Sequence, residues 1–163
     1  MTEEKFWEII ELSWADSPKL DKLRINALKS NDFEILEDLS GELESSILKN
    51  YSKRLFTLNK EDLTKFIHIL EERLYNIDRE EIQEYTDGSD DGFLYCRCFI
   101  LGMGQKYYNM IDKDPSKAAM DLEAESFGFS AYTTYEEKFG EEFDRYTHHS
   151  IESCSNDEGW IQE

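Results

Sequence analysis

The acidic run Asp87-Gly88-Ser89-Asp90-Asp91-Gly92 holds the side chains best placed for chemistry. Oxygen-bearing residues recur at its first, third and fifth positions and glycine stands at the sixth, as in the opening of a calcium loop. Such a loop needs a bidentate glutamate at its twelfth position, and this chain has Cys98 there. A second chemistry would use Asp90 and Asp91 as an acid/base or metal-binding pair. Arg97 would then orient an anion, with Tyr95 and Tyr107 lining the cleft. That describes an uncharacterised enzyme or small-ligand domain centred on the turn from Ser89 to Phe93. No phosphate loop, Gly-x-Ser-x-Gly elbow or His-Glu-x-x-His run accompanies it. No residue is therefore assigned a catalytic role.

Metal and cofactor chemistry find equally little elsewhere. His68 falls within an apolar stripe, and His148 and His149 lack a Cys or His at ligand spacing. Cys96-x-Cys98 has no second pair and reads as small core residues. The expectation is no metal and no cofactor.

The structural reading of the same turn is a helix cap. Ser89, Asp90 or Asp91 can accept hydrogen bonds from the free N–H groups that open a helix, and their charge suits its dipole. Arg97 then lies about two helical turns on, inside the apolar run Leu94 to Gly104. A buried arginine needs an acidic partner. Asp90, Asp91 or a glutamate from another helix would serve. Either way, Ser89, Asp90, Asp91 and Arg97 form the candidate polar site or cap.

The elements that must carry these residues read as helices. Thr2 caps a first one, with Phe6, Ile9, Ile10 and Trp14 on one face. Ser17-Pro18 starts a second, and Asp32 a third whose apolar positions run from Phe33 to Leu55, with Gly41 placed to bend it. Asn59 opens a fourth, carrying Leu63, Phe66, Ile67, Leu70 and Leu74. Asp78-Arg79-Glu80-Glu81 resembles a capping box and starts a short helix. The apolar run spans about 91–110 and is hydrophobic nearly all round, so it should be the central helix. Gly102 and Gly104 in it favour close approach of a neighbour. Asp114-Pro115 starts another helix, in which Ala118, Ala119 and Leu122 pack, and Gly140 closes the last.

Strand signals are nearly absent, and the chain contains no valine. The fold class expected is all-α: a single compact multi-helix domain around the central apolar helix. It would occupy residues 1–149, with 150–163 an acidic tail that frays unless Trp160 and Ile161 dock it.

The 163 residues carry a formal net charge of −19, with ten Phe, nine Tyr and three Trp to build a core. That charge argues against nucleic acid and against an anionic membrane surface. No apolar run reaches the roughly 20 residues of a membrane span. The opening Met1-Thr2-Glu3-Glu4 does not resemble a signal peptide. The odd cysteine count fits a reduced, cytoplasmic setting. From Glu136 to Glu163 there are nine acids and two bases. Glu136, Glu137, Glu141 and Glu142 are the candidate acidic face for a basic partner.

Three motifs resemble the bacterial domain-of-unknown-function family numbered 4240. They are Phe6-Trp7-Glu8-Ile9-Ile10-Glu11, the run from Ser89-Asp90-Asp91-Gly92-Phe93 through Arg97 to Gly104, and Asp114-Pro115. The segment Ile82-Gln83-Glu84-Tyr85 departs from the tryptophan-bearing, alanine-rich stretch usual in that family. The resemblance implies an all-helical bacterial domain and marks the turn, and it implies no activity. The function expected from charge is then a non-enzymatic interaction protein. Its concrete form is an immunity protein or inhibitor covering a basic toxin or nuclease surface. Exposed aromatics would also permit a homo-oligomer.

Overall fold

The computed structural model describes residues 1–161. Helix α1 (Glu3–Ala15) is followed by α2 (Pro18–Ser30) and α3 (Phe33–Glu42). A π-helical segment (Leu43–Ile47) then leads into α4 (Leu48–Thr57). Next come α5 (Lys60–Asn76), the short α6 (Glu80–Gln83), α7 (Asp90–Gly102), α8 (Gln105–Lys113) and α9 (Glu125–Phe139). The described residues contain no strand. The fold is all-α, as the periodicity requires.

Several boundaries follow from local chemistry. Thr2, Asp32 and Asn59 each accept a hydrogen bond from a backbone N–H in the first turn of α1, α3 and α5. Gly140 takes up the left-handed conformation at φ 70° and closes α9. The irregularity expected near Gly41 is the π-helical widening that follows it.

Helix α7 packs against α9, α5 and α8, while α9 also covers α4 and α1 covers α4 and α5. All the residues of α7 from Gly92 to Gly102 except Tyr95 are buried. The α7–α9 approach is close because glycine stands at the contact. A methyl group on Gly128 would strike the Sγ of Cys98, and one on Gly102 would press on Leu43 and Phe127. Tyr51 stacks on Phe127 at 4.2 Å between ring centroids and extends this core into α4.

Three expectations need correction. The apolar run is two helices rather than one, because the chain breaks at Met103-Gly104 with Gly104 at φ 99°. Distant side chains satisfy the backbone freed there. Trp14 Nε1 donates to Gly102 O at 2.8 Å, Arg24 to Met103 O at 2.9 Å, and Gln105 N donates to Glu11 at 3.1 Å. A side chain at Gly104 would collide with Glu11 and Arg24, so both the backbone angle and the space demand glycine. Second, Asp114-Pro115 opens only a 3-10 turn (Pro115–Lys117), and no helix continues to Leu122. Third, Asp78 caps nothing: α6 begins after Arg79 without a side-chain cap, and Asp78 is fully buried.

The last segment is also placed. Ile151 and Asn156 are buried, and Trp160 meets Phe93 edge-on at 5.9 Å. Residues 150–160 therefore form a strap over α5 and α7 rather than a frayed tail. Ile161 is exposed, and residues 162 and 163 of the expected tail lie outside the described residues.

Candidate functional site

The turn before α7 is built around two side chains. Ser89 is the cap: its Oγ accepts from Gly92 N at 3.1 Å. Asp87 fixes Ser89 by accepting from both its N–H and its hydroxyl, the latter at 2.6 Å. These bonds hold the Asp87 carboxyl below its ordinary pKa. Gly92 is buried against this pair, and any side chain there would overlap Asp87 and Ser89. Asp90 and Asp91 sit exposed in the first turn, where they face the positive end of the helix.

Arg97 makes no direct hydrogen bond to this turn. It is fully buried, and its NH1 donates to Leu74 O at 2.9 Å. Its NH2 donates to Ile151 O at 2.8 Å and to Ser153 Oγ at 3.2 Å. The guanidinium also lies 4.8 Å from the Phe93 ring. Its acidic partner is Asp78, at 4.0 Å, and not Asp90, Asp91 or a glutamate. Burial lowers the Arg97 pKa, and the Asp78 charge opposes that fall. Asp90 enters only through its backbone carbonyl, which accepts from Ser153 Oγ at 2.6 Å. The candidate set Ser89, Asp90, Asp91 and Arg97 is thus not brought to one space.

Asp78 is the centre that sequence reasoning missed. Its carboxylate accepts from the N–H groups of Cys154 at 3.1 Å, Ser155 at 2.7 Å and Asn156 at 3.0 Å. The Trp160 indole adds a fourth donor at 3.2 Å. Three successive N–H groups converge because Cys154 adopts φ 66°, which curls the backbone into a small anion-binding nest. Nothing local in the sequence marks this arrangement, since the donors lie 76–82 residues from the acceptor.

A second group assembles on the opposite side of the α7 start. One ligand-type atom each from Asp87, Cys96 and Glu123 lie within 4.8 Å of one another. Asp121 adjoins Asp87. Burial and the neighbouring Asp87, Asp121 and Glu125 raise the Glu123 pKa. Burial first, and then Glu123, Asp87 and Asp121, raise that of the Cys96 thiol far above its usual range. Tyr95 and Tyr107, suggested as cleft residues, are separated: Tyr95 is half-buried while Tyr107 is sealed in the core.

The histidines form a third group. Buried Glu71 accepts from Tyr132 OH at 2.8 Å and lies 3.3 Å from His68 Nδ1. The His68 and His148 rings lie 3.7 Å apart between centroids.

The four candidate glutamates of the acidic face divide. Glu136 and Glu142 line an open recess of about 650 Å3 with Tyr132, Phe143, Asp144, Arg145 and Tyr146. Glu137 borders a different depression beside Ser52 and Phe129. Glu141 accepts from Tyr135 OH at 3.1 Å and is ion-paired to Lys60, which lowers its pKa.

The fold and these groups define a compact helical domain with an internally neutralised carboxylate. The chain belongs to the family described as protein of unknown function (DUF4240), whose model matches residues 1–149. No curated protein and no solved structure matches it. Among the described residues, no helix is long and apolar enough to cross a membrane.

Proposed function

We propose that the protein is a non-enzymatic, acidic interaction module of the bacterial cytoplasm that receives a basic protein surface. An immunity protein or inhibitor covering a toxin or nuclease is its concrete form. The observation that carries this reading is the recess where three acids, Glu136, Glu142 and Asp144, outnumber the one base, Arg145, around Tyr132, Phe143 and Tyr146. Tyr146 is 62% exposed. Arg145 already covers the Tyr132 ring at 4.0 Å, so the ring face open to a partner's lysine or arginine is that of Tyr146, with the glutamates beside it as counter-charge. The net charge of −19 would speed the approach of such a partner and repel nucleic acid.

The rival reading, a site centred on the turn, needs Asp90, Asp91 and Arg97 to face one space. Arg97 is spent on Leu74, Ile151 and Ser153, which weighs against it.

The test starts from the neighbouring gene. A basic toxin or nuclease encoded immediately upstream should be inhibited by the purified protein. The double reversal Glu136→Lys/Glu142→Lys should abolish inhibition while leaving the circular-dichroism spectrum unchanged. A neighbourhood of metabolic genes, or full inhibition by the reversed variant, overturns the reading.

A further inference from the structure

We propose that Asp87, Cys96 and Glu123 form a binding site for a divalent transition metal, with zinc the ion that best suits their donors. Three segments meet there: the turn before α7, the second turn of α7, and the irregular stretch before α9. Backbone hydrogen bonds fasten them beside the ligands themselves. Asp121 N donates to Thr86 O at 2.9 Å, and Ala124 N donates to Tyr95 O at 3.0 Å. Thr86 precedes Asp87, Tyr95 precedes Cys96, and Ala124 follows Glu123. Leu122 and Ala124 are buried on either side of Glu123, so this exposed carboxylate rides on an anchored backbone.

Cys96 supplies the independent observation. Its side chain is 1% exposed, yet it lies outside the apolar core cluster that takes in Cys98 two residues later. Its Sγ makes no hydrogen bond among the described residues and is aimed at the Asp87 and Glu123 oxygens. The charges acting most strongly on it are Glu123, Asp87 and Asp121, all negative. By contrast, Cys98 has the Arg97 guanidinium as its largest charged influence. A sealed thiol facing carboxylates, with no cation among its strongest neighbours, offers a divalent ion a mixed sulfur and oxygen donor set.

The donor types narrow the ion. A thiolate with two carboxylates disfavours calcium and magnesium, which take oxygen alone, and suits zinc in a tetrahedron. Three such ligands on one zinc lie roughly 3.3–3.6 Å apart, given bonds of about 2.0–2.3 Å. The observed grouping within 4.8 Å reaches that by a contraction of at most about 1.2–1.5 Å, within the rotamer freedom of the exposed Glu123. Asp121 or a water completes the fourth position. As the metal–sulfur bond forms, the Cys96 thiol gives its proton to solvent, so each ion bound releases one proton. The exposed flank at Glu123 gives the ion its way in. The site uses neither Glu136 nor Glu142 and stands apart from the recess reading.

Cobalt(II) is the probe. Chelator-treated, full-length protein titrated with Co2+ should develop a sulfur-to-cobalt charge-transfer band and intense tetrahedral visible bands. They should saturate at one equivalent with release of one proton, and Zn2+ should displace them while millimolar Ca2+ does not. Cys96→Ser should abolish the charge-transfer band. Glu123→Gln, a change on the surface that leaves folding intact, should weaken Co2+ binding by at least roughly tenfold, the loss expected even for an outer-shell partner. Cys154→Ser should change nothing. The proposal is overturned if no charge-transfer band appears or if the band depends on Cys154. Weak binding of several equivalents, unaffected by Glu123→Gln, would mean diffuse chelation by an acidic surface and would overturn it too.

Discussion

Asp78 and Asp87 stand nine residues apart and flank the same helix, in opposite company. Asp78 is sealed, and three backbone N–H groups, an indole and Arg97 surround it. Asp87 is half-buried and has Ser89 for a donor, but its other neighbours are Asp121, Glu123 and a thiol. The first carboxylate is complete within the chain. Removing the whole set of donors would leave a buried charge without a partner, the costliest kind of loss. The second belongs to a cluster with more acceptors than donors. The count of donors around a carboxylate therefore separates one that serves architecture from one left open to a cation.

The strongest way to break this contrast is to cut the chain after His149. That removes every N–H donor of Asp78 and the Ile151 and Ser153 contacts of Arg97. A loss of about 3–5 kcal/mol or outright failure to fold is expected, read by urea denaturation and limited proteolysis. An unchanged midpoint would show the strap to be ornament. Asp78→Asn keeps the shape and removes the charge, and should cost about 2–3 kcal/mol. Ser89→Ala should cost about 1 kcal/mol in thermal or urea melts through loss of the cap. Asp91→Asn should cost less than that, since only the dipole term of about 0.3–1 kcal/mol is at stake. The reverse order would restore Asp91 as the cap.

The smallest effect belongs to the other cluster. In metal-free protein, Glu123→Gln should move stability by no more than about 0.5 kcal/mol. Its direction should be favourable, because one of the crowded charges is gone. The pH dependence carries a sign. The Glu123 carboxyl is raised in the folded state, so folding costs its ionised form something above the ordinary carboxylate range. That cost disappears as pH falls and the folded protein takes up the proton first. The advantage of Glu123→Gln should therefore be larger at pH 7 than at pH 5, measured by urea melts at both. An advantage that grew on acidification would contradict the raised value.

The helices were legible because their signals are local. Thr2, Asp32 and Asn59 announce starts, Gly140 an end, and three- and four-residue spacing identifies the buried face. The break within 91–110 was not, because continuous apolar character says helix while the break depends on Trp14, Glu11 and Arg24 far upstream. The same limit hid the Arg97 partner. Proximity in sequence favoured Asp90 and Asp91, and the fold instead supplied Asp78 through the end of α5. Cys96 read as core from its apolar neighbours. Its acidic surroundings come from Glu123, which no spacing rule connects to it. The one visible hint was Asp87 itself, the first residue of a run that resembled a cation loop and then lacked its final ligand.

The strap changes how the domain must be made. Synthesis runs from the N-terminus, and domains tend to fold as the chain emerges. When α5, α7 and α9 have all left the ribosome, Arg97 still has only the Leu74 carbonyl, and Asp78 has none of its N–H donors. The nascent bundle can collapse, but Arg97 and Asp78 then lack the hydrogen bonds that residues 151–160 supply. Emergence of residues 151–156, rather than of the last long helix, is the event that closes the domain.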